Sequence, residues 1–68
     1  MQISARNQLK GKVTNVVEGA VNTEVELELV GGQKIVSIIT KSSAESLGVK
    51  VGAEMIAVVK ASSVMLAK

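Results

Sequence analysis

One stretch, TEVELELV at Thr23–Val30, limits this chain more than any other. Val25, Leu27 and Leu29 alternate with Glu24, Glu26 and Glu28. A period of two sustained over such a run belongs to a strand with one apolar and one solvated face. Gly31-Gly32 follows, then Gln33–Ile39, whose core Ile35-Val36-Ser37-Ile38-Ile39 is nearly all apolar. A two-residue Gly-Gly link between strand patterns predicts a β-hairpin. The apolar second strand is expected to be buried on both faces.

The rest of the chain is built of short segments punctuated by glycine. Leu9–Val17 reads as a strand whose opening, Lys10-Gly11-Lys12, is flexible or bulged. Glu18-Gly19 reads as a turn. In TKSSAESLG, Ser42 and Glu45 have the spacing of a capping box and Gly48 is a natural stop. They predict one helix of about two turns, with Ala44 and Leu47 toward the core. Ala53–Lys60 and Ser63–Ala67 read as the last two strands. The order β-β-β-α-β-β predicts an all-β fold. It is a five-stranded OB-like Greek-key barrel with one short helix between strands 3 and 4, in a single domain over residues 1–68.

Size then imposes a second condition. A chain of 68 residues buries only about 60% of the surface its unfolded form exposes. Small domains are reinforced by disulfides, metals or oligomerisation. The chain has no Cys and no His, so a disulfide and the usual zinc ligands are ruled out. Apolar residues make up 47% of it and none is aromatic. That is more apolar surface than so small a body hides, which predicts a homo-oligomer.

Charge and composition narrow the function classes. The net charge is +2 and the isoelectric point about 9.2. This suits an anionic partner without naming one. No apolar stretch approaches the ~18 residues of a membrane span, and the N-terminus lacks the pattern of a signal peptide, so the cytoplasm is expected. No His stands ready as a general base and no Cys as a nucleophile. Glu24, Glu26 and Glu28 form one strand face rather than a catalytic pair. A Ser–Lys pair around Lys60 is a weak signal, and no enzyme is expected. OB-type nucleic-acid binders stack bases on aromatic rings. This chain has none, so nucleic acid remains the minor alternative.

Three polar clusters remain: Ser4/Arg6/Asn7, Thr40/Ser42/Ser43 and Lys60/Ser62/Ser63. Each falls at the end of a strand. Hydroxyls, backbone N–H groups, one Arg and one Lys are nearly all donors. A small tetrahedral oxyanion, all acceptor, wants that set; a metal cation would want carboxylates or imidazoles. Each cluster also has a plain structural role: helix capping for Thr40, Ser42 and Ser43, a solvated extension for Ser4 and Arg6, and a surface lysine for Lys60.

Taken together, SARNQLKGKV at the start, the Thr40–Ser43 pair ahead of Leu47-Gly48, and VVKASSV near the end closely resemble the molbindins. These are small cytoplasmic molybdate-binding proteins, similar also to domains of molybdate-responsive regulators and of some molybdate transporter ATPases. The resemblance covers essentially the whole chain. It implies an OB-like barrel, assembly as a homohexamer (a trimer of dimers), and no catalysis. It implies binding of molybdate, and of tungstate by its like size and charge, at sites between subunits for storage. It further implies that Ser4, Ala5 and Arg6 approach the oxyanion. Thr40 and Ser43 add donors at the helix start, and Lys60, Ala61 and Ser62 add an ammonium and further donors. No metal is bound directly by side chains, and Asn7 is support rather than ligand. An oxyanion-responsive regulatory module is the alternative role.

Overall fold

The computed structural model describes residues 2–68. Its elements in chain order are β1 (Asn7–Glu18), β2 (Asn22–Leu29), β3 (Lys34–Thr40), α1 (Lys41–Leu47) and β4 (Glu54–Val59), followed by a 3₁₀ turn at Ala61–Ser63. The strands form one antiparallel sheet in the order β3-β2-β1-β4. The result is an all-β, OB-like half-barrel with one short helix. Four strands are present where five were expected.

The missing strand is Ser63–Ala67. The Ser63 N–H donates to the Lys60 carbonyl (2.8 Å) and the Val64 N–H to the Ala61 carbonyl (3.3 Å), which turns the chain outward after β4. Beyond the turn, Met65 and Leu66 are 92% and 94% exposed. Hydropathy gave this segment strand character, but a strand also needs a neighbouring backbone, and this chain offers the segment none.

The β2 alternation folds as its pattern requires. Val25 and Leu27 are buried on the inner face with Val13 of β1, and Ala44 of α1 is buried as well. Burying each Val or Leu contributes about 1.5–3 kcal/mol. Outside, Glu26 accepts a hydrogen bond from the Thr14 hydroxyl (2.9 Å) and pairs with Lys34 (3.4 Å). The glutamate face is therefore a solvated sheet surface.

β1 is longer than Leu9–Val17, and its irregularity lies elsewhere than expected. Gly11 pairs regularly with Leu29 and Met55, while the register slips between Val13 and Asn15, making Thr14 the extra residue of a bulge. Gly11 is needed for closeness instead. A Cβ there would sit 3.0 Å from the Glu28 carbonyl oxygen.

Three further expectations are corrected. The hairpin link is Val30–Gln33, with Gly31 and Gly32 at positive φ, rather than Gly-Gly alone. β3 is not buried on both faces. It is a sheet edge, and Val36 and Ile38 point away from the core at 54% and 66% exposure. At α1 the cap is Thr40, whose hydroxyl accepts the Ser43 N–H (3.1 Å), so Ser42 and Glu45 form no capping box. Gly48, at φ 67°, ends the helix as predicted. Leu47 lines the open apolar side of the half-barrel but remains exposed, because nothing in this chain covers it.

Candidate oxyanion site

Antiparallel pairing decides which polar clusters meet. Asn7 opposes Val59 and Gln8 opposes Val58, so the entry to β1 and the exit from β4 lie side by side. Ser4–Arg6 leads into one strand and Lys60–Ser62 leads out of the other. Together they line an open groove of about 570 Å³, walled by Ile3 and Val58. The Gln8 side-chain amide donates to the Ala5 carbonyl (2.9 Å) and pins the entering segment.

The groove holds two basic side chains, Arg6 and Lys60, and no carboxylate lines it. Among the described residues neither cation has an acidic partner within ion-pair distance. Ser4 and Ser62 add hydroxyls, and the groove's positive charge with hydroxyl donors matches the needs of a small anion. Nor do the described residues contain a cluster of His, Cys, Asp and Glu able to hold a metal ion.

Thr40 and Ser43 lie elsewhere. Thr40 pairs with Asn22, and Thr23 pairs with Glu18, which puts the helix start beside the far end of β1. Asn7 and Glu18 are the two ends of the longest strand, β1. In addition, β3 and β4 are opposite edges of the sheet. One chain therefore presents its donors as two separate halves. In the second half, the Thr40 hydroxyl donates to Ser43 Oγ (2.8 Å) and stands 3.5 Å from Ser42 Oγ. These contacts belong to the helix cap.

Ile3, Val58 and Gln8 were not foreseen. Val58 is brought to the groove by the β1–β4 pairing, whereas Gln8 acts through a local contact with Ala5 and Ile3 precedes the first strand.

A TOBE-domain model matches residues 3–66. The chain is 61% identical over 66 residues to molybdenum-pterin-binding protein 2 of Clostridium pasteurianum, covering 97% of each. It superposes on MopII from the same organism with a TM-score of 0.94 at 58% identity, covering 98% of this chain and 100% of that one. With a molybdate-binding protein from Sporomusa ovata the TM-score is 0.93 at 32% identity, over the full length of both. The chain belongs to the TOBE-domain family, among its small molybdenum-pterin-binding proteins, the molbindins.

Proposed function

We propose that this protein binds molybdate, accepts tungstate in its place, and holds it as a cytoplasmic store without catalysing a reaction. The observation that carries this reading is the groove in which Arg6 and Lys60 stand with Ser4 and Ser62 and no carboxylate. The names of the relatives join molybdenum to a pterin. The chain favours the oxyanion, since it has no aromatic side chain to stack on a fused ring.

Ser4, Ala5, Arg6, Lys60, Ala61 and Ser62 supply one set of donors. Thr40 and Ser43 supply the other, beside the opposite end of β1. A site that uses both sets draws them from different copies of the chain. This supports sites at subunit interfaces; the homohexamer arranged as a trimer of dimers is what the resemblance to the molbindins implies. Sulfate is smaller than molybdate, and a rigid donor cage rejects it through poor contact distances rather than through charge.

Native mass spectrometry tests the reading, with molybdate alone, with tungstate in competition, and then with excess sulfate. The expected result is a hexamer that takes up discrete molybdate masses, exchanges them for tungstate and keeps them against sulfate. A protein that gains no oxyanion mass, or loses it to sulfate, sinks the proposal. Cell fractionation checks the cytoplasmic location.

A further inference from the structure

We propose that Gln8 is a positioning residue of the oxyanion groove. By gripping the Ala5 carbonyl it holds the Ser4–Arg6 donors in their binding arrangement before the anion arrives. The inference rests on the oxyanion function proposed above.

The segment Gln8 acts on has little else to hold it. Residues 2–6 precede β1 and belong to no strand or helix. Cross-strand pairing begins only at Asn7, opposite Val59. Among the described residues no backbone bond of a turn or loop reaches residues 2–6. Ile3, Ser4 and Arg6 are exposed and Ala5 is half-buried, so packing fixes this stretch weakly as well. Among the described residues, the hydrogen bond from the Gln8 side-chain amide to the Ala5 carbonyl, at 2.9 Å, is the one that ties the segment to β1.

Gln8 stands where it can make that bond. It opposes Val58 across the β1–β4 pair, and Val58 walls the groove. Directly opposed side chains share one face of a sheet. Gln8 therefore rises beside the groove wall from a strand that is itself paired. It does not line the groove, so it acts through Ala5 and not on the anion.

The grip has two consequences. A carbonyl oxygen repels an oxyanion, and Gln8 commits this one to a hydrogen bond. The Ala5–Arg6 peptide is trans, so its N–H points opposite to its carbonyl. Fixing the carbonyl on Gln8 thus fixes the plane of that peptide, and with it the origin of the Arg6 side chain. Arg6 is one of the two basic side chains of the groove. A loose segment would have to be ordered when the anion binds, and that ordering weakens affinity. With Gln8 in place the ordering occurs on folding instead.

The test compares Gln8→Met with the wild type. Methionine keeps the length and bulk of the side chain and removes the donor. Gln8 is exposed, so circular dichroism, melting temperature and oligomer mass without oxyanion should match the wild type. Amide NMR relaxation without oxyanion should show Ser4, Ala5 and Arg6 more mobile in the variant. Molybdate affinity by titration calorimetry should fall about 3- to 10-fold, the size of one neutral hydrogen bond. Unchanged affinity overturns the proposal, and so does unchanged mobility of those amides. A lower melting temperature or a different oligomer mass overturns it too, since Gln8 would then serve the fold and not the groove. If the wild type binds molybdate and the variant binds it equally, only the role of Gln8 falls. If the wild type binds none, the proposed function falls and this inference with it.

Discussion

Thr23 places a hydroxyl at 1% exposure among the apolar side chains of the sheet, and its Oγ1 has no hydrogen-bond partner. A buried unpaired hydroxyl costs about 1–3 kcal/mol. Thr23→Val keeps the branched shape and removes the polar atom, so it should stabilise the protein by about 1 kcal/mol. In a domain of this size that raises the melting temperature by about 4–8 °C, which calorimetry reads directly. Gly11 predicts the opposite sign. Its absent Cβ would lie 3.0 Å from a backbone oxygen and 3.2 Å from Leu29 Cδ2, and the paired backbone has no room to yield. Gly11→Ala should cost about 1–3 kcal/mol, measured by urea unfolding. At the groove, Arg6 has no carboxylate partner among the described residues, so Arg6→Ala removes a charged donor without freeing an acid. A hydrogen bond to a charged group contributes about 1.5–3 kcal/mol, and molybdate affinity by titration calorimetry should fall about 10- to 100-fold. Unchanged affinity would remove Arg6 from the site.

The helix shows how one element's limits fix the roles of its neighbours. Thr40, Ser42 and Ser43 all offer hydroxyls near the start of α1. The last cross-strand pair of β3 is Thr40 with Asn22, so the extended backbone ends at Thr40 and its side chain becomes the cap. Thr40→Ala should lower stability by about 1 kcal/mol. Ser42→Ala and Glu45→Ala should leave it nearly unchanged, because neither residue holds an orphan amide of the first turn. Equal losses for Thr40→Ala and Ser42→Ala in urea titrations would contradict this assignment. The same logic explains β1. Its bulge falls at Thr14, where the hydroxyl also reaches the Glu26 carbonyl (3.3 Å) and carboxylate (2.9 Å) on β2.

For the whole molecule, the core is too small for the surface around it. Val13, Val25, Leu27 and Ala44 are the buried hydrophobics among the described residues. The radius of gyration is 12.4 Å, against about 11 Å for a compact domain of this length. Val36, Ile38, Ile56 and Val58 remain 39–66% exposed on the two edge strands. Stability that depends on covering such surface with another copy depends on protein concentration. The apparent melting temperature should therefore rise with protein concentration over the micromolar range. A melting temperature independent of concentration would mean that the single chain carries its own stability.

Much of this could be read from local chemistry. The alternation of Val25, Leu27 and Leu29 with glutamates fixed β2 and its buried face, since side chains in a strand alternate whatever their surroundings. Gly48 marked the helix end because only a residue without a Cβ takes positive φ readily. Composition ruled out thiolate and imidazole metal ligands and aromatic stacking, since the chain has no Cys, His, Phe, Tyr or Trp. Other features depend on neighbours that no local pattern names. The apolar run of β3 could not show whether it lay at a centre or an edge, and Ser63–Ala67 could not show that its own chain leaves it unpaired. The groove of Ser4–Arg6 and Lys60–Ser62 exists because β1 and β4 run antiparallel. The same sheet keeps Thr40 and Ser43 at its far end. Residue type sets which groups can donate to an anion, but the register between strands decides which of them stand close enough to do so together.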